Sequence, residues 1–174
     1  MSRILVAGIG NIFDGDDGFG VAVAEELRGR ALPSAVTVAD FGIRGLDLVY
    51  ALLDGWAAAI LVDAAPRGEP PGTLSVIEPD MPQVSADEPE DLLLSPHAME
   101  PHKVLRLAAL LGASWRRVLL VACEPLRLVH DREGEIGLSP PVRAAVPPAA
   151  DLVARLAREL MEEIRDEIDE QEVA

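Results

Sequence analysis

The sequence is short of cysteine, aromatics, basic residues and long apolar runs, and each shortage excludes a class of protein. Cys123 is the one cysteine in 174 residues, so neither an intrachain disulfide nor a cysteine-based zinc site is available. Aromatic side chains make up 3%, too few for a platform that stacks bases or sugars. Apolar runs stop at about eight residues, against roughly 20 for a helix that crosses a bilayer. Fifteen Lys+Arg face thirty Asp+Glu, a net charge of −15. No basic stripe is left to replace phosphate counterions, which excludes nucleic acid as a partner and disfavours anionic membrane surfaces. The N-terminal MSRILVAGIGN lacks a basic region, a long apolar stretch and a small-residue cleavage site, so no signal peptide is expected. A cytoplasmic protein is the simplest expectation.

What is present is unevenly placed. The acidic excess sits in three segments, residues 14–17, 80–91 and 159–174, and the rest of the chain is neutral. The length suits one domain with a substantial core. The expected division is a single domain over residues 1–165 and an acidic, frayed tail over 166–174.

Short β-branched runs alternate with amphipathic stretches, the pattern of an α/β domain with a largely parallel sheet. Strands are expected at Ile4–Ala7 (ended by Gly8), Ala35–Asp40, Ala58–Val62, Thr73–Ile77 and Arg117–Cys123. Helices are expected at about Gly18–Arg30, Leu46–Leu53 and Pro101–Leu111. Ser139-Pro140-Pro141 reads as a helix start, with serine at the cap and proline in the first turn. From about Ala149, Leu152, Leu156, Leu160, Ile164 and Ile168 recur every four residues as one long amphipathic helix. Residues 79–100 form a loop too long for ordinary punctuation.

The first strand leads into Gly8-Ile9-Gly10-Asn11-Ile12-Phe13-Asp14-Gly15-Asp16-Asp17-Gly18. The Gly-x-Gly invites a dinucleotide-binding reading, but Phe13 occupies the place of the third glycine. Asp14, Asp16 and Asp17 also crowd the position of a pyrophosphate, and contacting like charges repel by about 4 kcal/mol at an effective dielectric near 20. A nucleotide-dependent enzyme is therefore the weakest reading. Asp16 or Asp17 capping the next helix is the plain alternative, yet three acids exceed what one cap needs.

In an open parallel sheet ligands gather beyond the carboxyl ends of the strands. There the sequence places Asp14, Asp16 and Asp17 after strand one, Asp40 with Gly42 and Gly45 after strand two, and Asp63 after strand three. His97 follows strand four, and Cys123-Glu124-Pro125 ends strand five. A carboxylate near the core needs a partner. Two carboxylates and an imidazole suit a hard-to-borderline divalent metal with open positions for water or substrate. The plainer readings are an Asp63–Arg67 salt bridge and His97 as a cap. His102 and His130 read as surface residues, and Cys123 as a small buried hydrophobe.

The residues now form a familiar series. Gly8-Ile9-Gly10-Asn11, Asp16-Asp17-Gly18-Phe19-Gly20 and Asp40-Phe41-Gly42-Ile43-Arg44-Gly45 are followed by Leu61-Val62-Asp63-Ala64 and Pro71-Gly72-Thr73-Leu74. Ser95-Pro96-His97, Cys123-Glu124-Pro125 and Gly137-Leu138-Ser139-Pro140-Pro141-Val142 complete it. In order and spacing, from residue 4 to about 145, the chain resembles the maturation endopeptidases of [NiFe] hydrogenases, which trim the C-terminus of the hydrogenase large subunit.

The resemblance implies a three-layer α/β/α sandwich around a twisted, mostly parallel five-stranded sheet. It implies a nickel-dependent endopeptidase that removes the C-terminal extension of a large-subunit precursor after nickel insertion. Nickel, presented by the precursor, would be read by Asp17, Asp63 and His97. Gly42 and Gly45 would belong to a substrate-recognition segment. The sequence leaves the attacking group open between a metal-activated water and attack assisted by an acid, Asp17 or Asp40, as base. Asp14 stands where relatives more often have an apolar residue. The alternative is a metal-checking chaperone without peptidase activity. A monomer or weak homo-oligomer is expected.

Overall fold

The computed structural model describes residues 3–80, 100–127 and 136–173. Ser95-Pro96-His97, His130 and all of the 80–91 acidic segment but Asp80 lie outside them. The strands are β1 (Ile4–Ile9), β2 (Val36–Gly42), β3 (Ala58–Ala64), β4 (Leu74–Ile77) and β5 (Arg117–Cys123). Among the described residues the α-helices are α1 (Phe19–Arg28), α2 (Gly45–Leu52), α3 (Pro101–Leu110) and α4 (Pro140–Val173). The strands form one sheet in the order β2-β1-β3-β5-β4, parallel except for β4, which runs antiparallel to β5. The expected fold class is thus the observed one.

The two-residue period of the strands separates two cores. Ile4 and Val6 of β1, and Ala58, Ile60, Val62 and Ala64 of β3, face α1 and α4. Leu5, Ala7 and Ile9, with Ala59 and Leu61, face α2 and α3. Both central strands are buried along their whole length, as parallel strands covered on two faces must be.

Gly8 does not end β1 as expected, because pairing continues through Gly8↔Asp40 and Ile9↔Gly42. What the glycine provides is clearance for α1. A Cβ at Gly8 would stand 2.4 Å from the Gly20 carbonyl oxygen, and one at Gly20 would stand 2.1 Å from that of Val62. The sheet and the start of α1 touch backbone to backbone.

The expected helix start at Ser139 and the long helix from Ala149 are one element. α4 passes through Pro147 and Pro148, each of which lacks an N–H for the helix ladder. Burial of Ala145, Ala149, Ala150 and Val153 holds the two halves together, and Arg30 reaches from beyond α1 to the Pro147 carbonyl and to Asp151. The helix also runs without a break across the boundary placed at 165, and Ile168 packs against the core.

Candidate active site

The strand order puts β1 between β2 and β3, and helices following β1 and β2 lie on opposite faces. Ligand crevices of open sheets lie outside such a divergence. There the structure has a cleft of about 800 Å³. Ile9, Leu61, Leu105 and Leu120 are among the apolar side chains that line it, and Asn11, Asp14, Asp17, Asp63, Glu100 and His102 are its polar lining.

Asp63 is buried because of where β3 puts it. It shares the face of Ala59 and Leu61, so it occupies the position where the next apolar residue of the α2–α3 layer would pack. It is only 8% exposed. Its Oδ1 accepts the Ala64 N–H at 2.9 Å. Burial, and secondarily the charge of Asp17, hold its carboxyl well above the usual aspartate range. Among the described residues no cation pairs with Asp63. Arg67 instead donates its backbone N–H to Glu124 Oε2 at 2.6 Å, so the Asp63–Arg67 bridge is not formed.

The first loop divides its acids between two tasks. Asp17 Oδ2 accepts the Asn11 N–H at 2.7 Å, and Asp17 lines the cleft with Asp14. Gly10, at φ +127°, closes the loop, because a Cβ there would lie 1.7 Å from the Asp17 carbonyl oxygen. Asp16 turns the other way and is 2% exposed. Its carboxylate accepts the N–H groups of Leu126 (2.8 Å), Arg127 (3.3 Å) and Ser139 (2.7 Å) and the Ser139 hydroxyl (2.9 Å). Neither acid caps the following helix, whose cap residue is Gly18, and the Ser139 hydroxyl is drawn to Asp16. The Gly-x-Gly therefore serves packing and loop closure.

Asp40 stands one strand away, at the end of β2, and does not line the cleft. Its backbone carbonyl accepts Arg44 at 2.5 Å, and its Oδ1 is buried with no hydrogen-bond partner among the described residues. Gly42, at φ +52°, lets the chain turn there, and its carbonyl accepts the Gly10 N–H at 3.0 Å. Gly45 is buried at the start of α2. The structure thus brings Asp17 and Asp63 together, holds Asp40, Gly42 and Gly45 in the adjoining segment, and leaves His97 outside the described residues. Among the described residues no group of three metal-ligating side chains forms. Cys123 is fully buried, and burial, with Asp16 and Glu124, pushes its thiol up to about 12. It is not a nucleophile.

Sequence reasoning missed Glu100 and His102. His102 is 70% exposed, as a surface reading expects, but it lines the cleft, with its Nε2 3.5 Å from Glu100 Oε2. The available signal was Pro101, which fixes the first turn of α3 and so the place of its neighbours.

The sequence and the fold have counterparts among known proteins. A family model, hydrogenase maturation protease, matches residues 21–156. The chain belongs to the hydrogenase maturation protease family. This protease is 38% identical over 160 residues to the hydrogenase expression/formation protein HupD of Bradyrhizobium diazoefficiens, covering 91% of the chain and 79% of HupD. Its fold is similar to that of the hydrogenase maturating endopeptidase HybD from Escherichia coli, with a TM-score of 0.70, 30% identity and coverage of 90% and 93%. A hydrogenase 2 maturation peptidase from a Thaumarchaeota archaeon gives a TM-score of 0.66 at 32% identity, covering 89% and 97%. The family model and these solved structures are named as proteases, so a chaperone without peptidase activity is not the reading they support.

Proposed function

We propose that this protease removes the C-terminal extension of a [NiFe] hydrogenase large-subunit precursor once nickel is in place, and that it works in the cytoplasm. The observation that carries this reading is the pairing of Asp17 with the buried Asp63 in one cleft of a member of this family. Two carboxylates held in one cleft, the buried one keeping its proton partly through its neighbour's charge, favour the arrival of a cation. Carboxylate oxygens and an imidazole are the donors expected for a borderline divalent ion such as nickel. The nickel is the precursor's own, so the enzyme reads it as part of its substrate. His97 is the third donor in this reading. It lies in the stretch between Pro79 and Glu100, both of which line the cleft.

The protease is of the aspartic type in this reading. Asp17 lines the cleft and Asp40 does not, which favours Asp17 as the group that accepts a proton from attacking water. Asp40, Gly42 and Gly45 shape the neighbouring recognition segment.

The test is to incubate the purified chain with nickel-loaded and nickel-free precursor and follow release of the C-terminal peptide by mass spectrometry. Release from the loaded form alone is expected. Equal release from both forms removes the nickel requirement, and a stable complex with no release removes the peptidase.

A further inference from the structure

α2 is apolar on both sides. Leu48, Val49 and Leu52 are buried against the sheet, while Leu46 and Tyr50 on the outer side are 54% and 63% exposed. These two lie one helical turn apart and are neighbours on the helix surface. A surface helix ordinarily turns polar residues to water, whereas in α2 Asp47 is the one charged residue beside Leu46 and Tyr50. The exposed strip continues past the end of the helix. Ile43, 64% exposed, precedes α2 and lines the active-site cleft. The Gly10–Gly42 backbone bond then joins this segment to the first loop, where Ile12 and Phe13 are 50% and 62% exposed. Singly scattered apolar residues need no account, but five in two joined segments do.

We propose that Ile12, Phe13, Ile43, Leu46 and Tyr50 form the docking surface for an apolar patch on the folded body of the precursor, beside the point where its scissile segment enters the cleft. The inference rests on the processing function proposed above and adds to it the surface that recognises the substrate. The occupant follows from continuity with the cleft. Ile43 belongs both to the cleft that holds Asp17 and Asp63 and to the strip, so a precursor whose scissile segment leaves the cleft on that side meets the strip next. The outer face of a helix suits a complementary protein surface better than a single extended strand. A second copy of this chain is the less suitable cover, since each copy carries −15 and like net charges oppose association. Within the strip the Arg44–Asp47 pair is internally neutral.

The test uses the full chain and a nickel-loaded precursor. The Leu46→Gln/Tyr50→Gln double variant is compared with a Leu46→Met/Tyr50→Phe control that keeps the strip apolar. Both positions are exposed, and circular-dichroism melts check the fold. If the double variant is unfolded, the Tyr50→Gln single variant takes its place. The expected result is a KM raised at least tenfold with kcat within twofold of wild type, and both constants within twofold for the control. Precursor binding measured by sedimentation should weaken in parallel. An unchanged KM in the folded variant overturns the proposal. So does a wild-type dimer that the double variant splits without a change in KM, because the strip is then covered by a second copy. Failure of the wild type to cut the loaded precursor overturns the processing function instead. Sedimentation then decides the docking surface, which is overturned if the double variant binds the precursor as wild type does.

Discussion

The carboxylates of Asp17 and Asp63 line the same cleft, and the charge of Asp17 adds to burial in holding the Asp63 proton. One comes from the loop after β1 and the other from the carboxyl end of β3, where it is still paired with β5. Their closeness costs the fold stability and favours the binding of a cation.

Replacing Asp63 by Asn should abolish precursor processing and at the same time stabilise the protein at neutral pH. The folded protein holds the Asp63 proton more tightly than the unfolded chain does. Wild-type stability therefore falls as pH rises above about 4, where an unfolded aspartate ionises. The variant escapes that fall. Urea melts should show an advantage for Asp63→Asn at pH 7 that closes below about pH 4. An equal gap at both pH values would mean that the Asp63 charge is not the cause.

Gly10→Ala should separate loop closure from the rest of the fold. The added methyl meets the Asp17 backbone carbonyl at an impossible distance, at a φ that side chains avoid. A loss of roughly 3 kcal/mol is expected, with processing lost even at temperatures where the variant is folded. Retained processing would show that the loop relaxes without moving Asp17.

Asp16→Ala should be among the most destabilising single changes. It leaves three backbone N–H groups and a hydroxyl without their acceptor, at a cost of about 3 kcal/mol. Ser139→Ala removes one of the four bonds and should cost about 1 kcal/mol. Denaturant titration of the two variants gives the ratio directly.

Cys123 should be silent toward thiol reagents in the native state. At pH 8 its thiol is far below the value of about 12 at which it ionises and is shielded by the core. Labelling with an aromatic disulfide should proceed no faster than unfolding. Rapid labelling of the folded protein would show that β5 opens locally.

Truncation after Arg165 should leave processing unchanged while lowering stability by about 1 kcal/mol. The lost segment includes Ile168, which packs against the core under α4 and lines a surface pocket with Trp56 and Trp115, and Glu167, which pairs with Arg116 at 2.9 Å. The cost is that of partly exposing one large apolar side chain. A loss of processing with the fold intact would make this end of α4 a partner-binding element.

Much of this was legible because the hydrophobic pattern and the chemistry coincide. Apolar runs that end in Asp40 and Asp63 mark both a strand and its functional end, since packing alone gives no reason for an acid there. The division of labour between Asp16 and Asp17 was not legible. Both are acids in one turn, and only the return of the chain at Leu126 and Ser139 decides which is tied down. The direction of β4 was also hidden in the strand pattern, although residues 65–73 are fewer than a parallel crossover needs. Pro147-Pro148 reads locally as a break, and it is overruled by the buried alanines on either side. His102 was missed because its exposure says nothing about which surface it belongs to.

The four bonds that meet at Asp16 also set an order of events. Their donors lie at residues 126, 127 and 139, so a nascent chain that has emerged only as far as β3 already contains Asp17 and Asp63 but none of the groups that hold Asp16. Its first loop has its own bonds at Asn11 and Gly42 and lacks the anchor to the second half of the chain. The anchoring of the first loop is therefore completed late in synthesis, once the chain has reached the start of helix α4.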